Sequence, residues 1–184
     1  FIGEGLHRLL PLHNELVILE AGWGTGLNTL LTVITAEQQC KHIHYTAVEP
    51  YPLTGSETEK LNYCAILQRN DLQPLFLLMH ACKWETAIPV HRFLTLHKMK
   101  TTLQKLQYSR QCHLIYFDAF APSAQPGLWT KDIFTKLCDM LLPGGMLVTY
   151  SSKGEVRRNM EAAGFTVIKK PGPAGKREMV TAYK

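Results

Sequence analysis

The sequence predicts an α/β fold, a mostly parallel sheet with helices on both faces and one antiparallel strand near the C-terminus. Three observations carry this. Short apolar runs alternate along the chain with apolar stripes at helical spacing. A loop with three glycines at alternate positions, "LEAGWGTGLN" (19–28), follows the first run directly. The last two runs are joined by a hairpin-like turn, "PGPAG".

Leu16–Glu20 reads as a short buried strand, and Leu27, Leu30, Leu31 and Ile34 form one face of the helix after it. Ile43–Glu49 is a second strand, and a proline and Thr54 open a helix from Pro52 to Leu67. Residues 71–89 read as helix and loop, Arg92–His97 as a third strand and His113–Phe117 as a fourth. Phe134, Leu137, Cys138, Leu141 and Leu142 mark a helix stopped by "PGG" at 143–145, ahead of a fifth strand, Met146–Tyr150. Ser152 and Glu155 have capping-box spacing, and Val156, Met160 and Ala163 form the inward side of the helix they open. Phe165–Lys169 and Glu178–Tyr183 close the chain as strands.

The 184 residues are 46% hydrophobic and 19% charged, enough for one globular domain with a full core. No apolar stretch approaches the roughly 18 residues of a membrane span, which excludes an integral membrane role on this reading. The chain opens at Phe1 rather than Met, which leaves room for an upstream segment. Five scattered cysteines without a Cys-x-x-Cys pair read as reduced thiols of a cytoplasmic protein. The histidines do not pair with cysteines at metal-ligand spacing, "HAC" at 80–82 being the nearest approach, so no metal is expected. The net charge of +5 lies wholly in residues 151–184, with eight Lys/Arg against three Glu. A basic end of this kind is either a solvated face or a patch for a polyanion.

The glycine loop lacks the Gly-Lys-Ser/Thr of a phosphate-binding loop, and Leu27 stands where a dinucleotide fingerprint needs its third glycine. What stands here is Glu20-x-Gly22-x-Gly24-x-Gly26, which resembles the first motif of class I S-adenosylmethionine-dependent methyltransferases with their Rossmann-like sheet. Glycines let the backbone approach a ligand, and amides at the next helix's N-terminus favour its carboxylate. Glu20 is placed to meet the ligand's ammonium group, and Asn28, at the head of that helix, joins the candidate set. Glu49 follows Gly26 by 23 residues, near the roughly 20 expected of an acid that accepts from ribose hydroxyls.

"YFDAFAPSAQPGLW" (116–129) leaves the fourth strand at Asp118, on the sheet edge where ligands sit in open α/β folds. It supplies an acceptor, an aromatic at Phe120 and a turn at Pro122, where amino-group methyltransferases often carry Asp/Asn-Pro-Pro-aromatic. "DAFAPSAQPGLWT", "LLPGGMLVTYSSKGEVRRNMEAAGF" and "PGPAGKREM" together resemble the methyltransferase part of the MnmC family of bacterial tRNA enzymes, from "FIGEGL" to the C-terminus. The resemblance implies that residues 1–184 form one methyltransferase domain, with Asp118 at the catalytic position. It implies methyl transfer from S-adenosylmethionine to the primary amine of 5-aminomethyl-(2-thio)uridine at the tRNA wobble position. Phe120, Pro122 and Trp129 are then candidates for the uridine pocket, Trp129 being the stronger candidate for the core. Arg157, Arg158, Lys176 and Arg177 are candidates for tRNA phosphates around the anticodon stem-loop, with at least one of Arg157 and Arg158 facing outward.

The chain departs from the family in three ways. The FAD-dependent oxidase part is absent, so no flavin is expected and a separate oxidase or an upstream tRNA-modifying enzyme becomes a candidate partner. The family's segment before "FIGEGL" is absent too. Met99, in "HKMK", stands about where the family often has an Asp near the adenine, which leaves apolar and backbone contacts for that ring. The alternatives are a methyltransferase or aminopropyltransferase-like enzyme on a small amine, and a non-catalytic RNA-binding module on the same fold. The latter would be favoured by loss of Glu20, Glu49 or Asp118, and all three are present.

Overall fold

Strand β1 (Glu15–Ala21) is apolar on both faces: Leu16 and Ile18 enter one core, Leu19 and Ala21 the other. Such a run belongs inside a sheet covered on both sides. In the computed structural model, which describes residues 1–172 and 178–184, β1 pairs in parallel with β2 (His42–Val48) and β5 (Cys112–Phe117). The described residues form an eight-stranded sheet of order β3-β4-β2-β1-β5-β6-β8-β7, completed by β3 (Ala87–His91), β4 (Leu94–Met99), β6 (Leu141–Thr149), β7 (Thr166–Pro171) and β8 (Glu178–Tyr183). β8 runs antiparallel to both β6 and β7, the C-terminal antiparallel strand that the sequence predicts.

Helices α1 (Leu27–Gln39) and α2 (Gln73–Ala81) cover one face through Leu30, Val33, Phe76 and Met79. The N-terminal turns add Leu6, Leu9 and Leu10 to that core. Helices α3 (Lys131–Met140) and α4 (Gly154–Ala162) cover the other through Ile133, Phe134, Leu137, Val156 and Met160.

Several elements differ from expectation. The helix expected over 52–67 is two single turns, Gly55–Thr58 and Tyr63–Ile66. Thr54 does cap the first, in a capping box with Glu57, but Gly55, Ser56 and Asn62 are poor helix formers. Where the stretch 71–89 ends, the structure adds β3, antiparallel to β4. Pro89 argues against a central strand, yet β3 is the sheet's edge, where a missing N–H breaks no ladder. Pro143–Gly145 lies within β6, because α3 already ends at Met140. α4 is capped from Lys153 without a side-chain hydrogen bond, so Ser152 and Glu155 make no capping box.

Candidate active site

β1, β2 and β5 end together, and their last residues bring the candidate groups to one edge. Asp118 N donates to Ala21 O at 2.9 Å, holding the start of the 118–129 segment against the glycine loop. Gly22 has φ +88°, and a Cβ there would lie 2.7 Å from the Asp118 carbonyl oxygen, so only glycine permits this approach. Gly24 has φ +52° with no heavy atom within 4 Å of an added Cβ, which leaves its outer side open. Its amide donates to Glu49 Oε2 at 3.0 Å, and the Tyr51 amide donates to Glu49 Oε1 at 2.8 Å. Glu49 therefore clamps the loop and keeps lone pairs for further donors.

The loop is braced from behind. Trp23 is buried, its Nε1 donates to Thr29 Oγ1 at 2.8 Å, and the His80 ring lies 4.6 Å from it. Burial pushes the His80 pKa down to about 4, so the neutral ring donates from Nε2 to Thr25 O at 3.2 Å. Lys98 is fully buried, with Nζ 5.2 Å from the Trp23 ring centre and 4.7 Å from that of Trp84, and it donates to His80 O at 2.6 Å. A buried ammonium needs such partners. Its burial was not foreseen, because "LHKMK" gives no sign that Lys98 faces two tryptophans.

A buried acid stands beside an accessible one. Glu20 shares the phase of Leu16 and Ile18 along β1 and is 1% exposed. Tyr45 OH donates to its Oε2 at 2.7 Å, and Asn28 Nδ2 donates to its Oε1 at 2.7 Å. Burial pushes its pKa up to about 8, against the opposing pull of these hydrogen bonds. The same Asn28 Nδ2 donates to Asp118 Oδ2 at 3.0 Å.

These groups border a cavity of about 670 Å³, within the size range of small-molecule sites. Gly22, Trp23, Gly24, Thr25, Asn28, Glu49 and Asp118 line it. Glu20 and Gly26 do not, so the expected contact of Glu20 with a ligand's ammonium group is replaced by a position behind Asn28. Phe120 lines the cavity and is 71% exposed. Pro122 does not reach the wall, and Trp129 is core: it packs on Phe117, Phe134 and Tyr150 while its Nε1 donates to Phe120 O at 2.9 Å. Met99 also stays off the wall, where Thr102, Leu103 and Gln104 stand instead.

Two aromatic wall residues went unmarked in the sequence. Tyr51 is exposed two residues past Glu49, and Tyr150 follows β6 with its OH donating to Ala119 O at 2.8 Å. Their position just past the ends of parallel strands is the signal that could have found them. On α4, Arg158 is exposed, as expected of at least one of the pair, while Arg157 is half-buried, with no hydrogen-bond partner for Nε among the described residues. Lys176 and Arg177 lie outside the described residues.

Residues 76–184 match the family described as S-adenosyl-L-methionine-dependent methyltransferase. The chain belongs to this family. The methyltransferase is 34% identical over 98% of its length to the tRNA 5-methylaminomethyl-2-thiouridine biosynthesis bifunctional protein MnmC of Cupriavidus metallidurans, and it covers 28% of that protein. The Aeromonas salmonicida protein of the same name is 32% identical over 98% of this chain, which covers 30% of that relative. The chain thus spans under a third of the length of these relatives. Among solved structures, MnmC2 from Aquifex aeolicus superposes with TM-score 0.68 at 19% identity, over 95% of this chain and 55% of that one. The N-methyltransferase NodS from Bradyrhizobium japonicum gives 0.54 at 14% identity, over 97% and 90%. These two likenesses support the same sheet.

The cavity suits S-adenosylmethionine in three respects visible in the chain itself. The outer side of Gly24 is open, Glu49 has acceptor capacity left past the end of β2, and Asn28, Asp118 and Phe120 stand on the same cavity wall.

Proposed function

We propose that this methyltransferase methylates the primary amine of 5-aminomethyl-(2-thio)uridine at the wobble position of tRNA, with residues 1–184 acting as one methyltransferase unit. The carrying observation is the placement of Asp118 on the cavity wall, beside the glycine loop and next to the exposed ring of Phe120. The names of the relatives support the choice of amine.

Glu49 and the backbone at Gly22–Gly24 would hold the nucleoside and amino-acid parts of S-adenosylmethionine, and Asn28 would face its polar end. When bound, the cofactor supplies an electrophilic methyl group on a sulfonium. The acceptor amine resembles lysine, with pKa about 10.4, and neutralising it at pH 7 costs roughly 4–5 kcal/mol. A carboxylate alone favours the ammonium, whereas burial in the cavity favours the neutral amine. Asp118 therefore serves best by orienting the neutral amine's lone pair and taking up the proton released on methylation. Positioning supplies most of the remaining acceleration. Phe120 and Tyr51, both exposed on the wall, are flat surfaces for a base turned out of the anticodon loop.

The basic residues after 150, Arg158, Lys176 and Arg177 among them, would hold tRNA phosphates around the anticodon stem-loop. Among the described residues no helix is long and apolar enough to cross a membrane. We place the enzyme in the cytoplasm, beside a separate oxidase or an upstream enzyme that supplies the aminomethyl group.

The test offers the purified chain a labelled methyl donor with tRNA carrying the unmethylated aminomethyl group, fully modified tRNA, or the free nucleoside. Label in the unmethylated tRNA and none in the fully modified tRNA supports the proposal. Transfer to the free nucleoside with none to tRNA overturns it.

A further inference from the structure

The cofactor cavity occupies the edge where the parallel strands end, while the opposite edge, where β1 and β2 begin, gathers another set of donors. We propose that Glu15, His42 and His44 bind a divalent transition-metal ion of the zinc type. Glu15 and His42 are register partners in the β1–β2 ladder, and His44 lies two residues along β2. Strand alternation therefore sends both imidazoles and the carboxylate to one face, while Ile43 and Tyr45 between and beyond them are buried in the core on the other.

One donor atom from each side chain falls within 4.8 Å of the other two. His44 Nε2 stands 3.6 Å from Glu15 Oε2. Ligand atoms about 2.0–2.2 Å from a tetrahedral ion are roughly 3.3–3.6 Å apart, so these two already have the spacing that an ion between them would set. The third donor reaches that spacing by side-chain rotation. The backbone beneath is held by the β1–β2 ladder, which begins at Glu15 and His42, and by the pairing of His44 with Thr95 of β4.

The donor set also selects the ion. Two imidazoles and a carboxylate favour zinc, nickel or copper over magnesium or calcium, which take oxygen ligands. The Glu15 side chain is 66% exposed and that of His44 27%, so an ion enters from solvent and water completes its shell. Arg110, close enough to act on His44, repels a cation and weakens the site. The spacing of histidines to cysteines gives no sign of a metal, whereas the donors here are His42-x-His44 and a carboxylate from the neighbouring strand.

The test is calorimetric titration of the chain with zinc chloride near pH 7.5, for the wild type and for His42→Ala, His44→Ala, the double variant and Arg110→Ala. The expected result is one ion per chain, bound about a hundredfold more weakly in either single histidine variant, since even outer-shell changes cost 10–100-fold. Arg110→Ala should bind a few-fold more tightly. S-adenosylmethionine affinity, read on the same samples, should not move, because the two sites lie at opposite edges. Zinc bound equally well by the double variant is held elsewhere, by the thiols for instance, and overturns the proposal. Absence of saturable zinc binding to the wild type overturns it too.

Discussion

Glu20 and Asp118 are joined through the Asn28 amide, which donates at 2.7 Å to the first carboxylate and at 3.0 Å to the second. One is buried and the other lines the cavity, so Asn28 connects the core to the candidate catalytic group. With both acceptors drawing on Nδ2, Oδ1 is left as the amide's other polar atom, on a side chain that lines the cavity.

Asn28→Ala therefore removes a partner from a buried carboxyl. We expect a stability loss of about 1–3 kcal/mol, the usual range for a buried polar group left unpaired. Urea unfolding reads it, and an unchanged midpoint would mean that water replaces the amide.

Glu49→Ala takes away the acceptor of the Gly24 and Tyr51 amides together with the proposed ribose contact. S-adenosylmethionine binding should weaken by about 1–3 kcal/mol while the fold persists. Equal affinity by calorimetry in a folded variant would remove Glu49 from the site.

Asp118→Ala should keep the cofactor and slow methyl transfer about a hundredfold or more, the scale of a positioned acid–base group. Single-turnover transfer at the wild-type rate would make Asp118 a structural residue.

The buried carboxyl also makes a pH prediction. The Glu20 pKa rises from 4.5 in the reference state to about 8 in the fold, so the native protein holds this proton more tightly than the unfolded chain. Its contribution to stability is complete below about pH 4.5 and is lost as pH rises through about 8. Glu20→Gln, neutral at every pH, should flatten this alkaline decline, an effect of order a few kcal/mol. Thermal melts of both proteins from pH 5 to 9.5 check it, and parallel curves would show that Glu20 ionises freely in the fold.

Reversing Arg158, Lys176 and Arg177 to glutamate should weaken tRNA binding and flatten its salt dependence. Each phosphate that is no longer neutralised should lower the log–log slope by roughly 0.7–0.9. Activity on a free aminomethyl nucleoside should not change. Undiminished tRNA affinity would leave these residues as a solvated basic face.

The sheet's interior was legible because β1, β2, β5 and β6 carry apolar residues on both faces, and the glycine loop announces where β1 ends. Gly22, Gly24, Glu49 and Asp118 line the cavity because each lies just past a strand that the pattern locates, and Asn28 lines it from the first turn of α1, after the glycine loop. The face toward which a residue turns was harder to read. Glu20 has the phase of Leu16 and Ile18, but only the packing of α1 shows that this phase leads beneath a helix. Trp129 was already the stronger candidate for the core, and its packing on Phe117 and Phe134 bears that out. β3 was hidden by Pro89, whose cost depends on a neighbour that it lacks at the sheet's edge.

The strand order β6-β8-β7 sets a sequence of events during synthesis. β7 leaves the ribosome before β8, yet its ladder partner is β8, so it has no place in the sheet until residues 178–183 have emerged. Until then β6 also presents an unpaired edge on the side that β8 will fill. While it is being made, the chain therefore carries two open strand edges of the kind that invite aggregation, and β8 closes both at once.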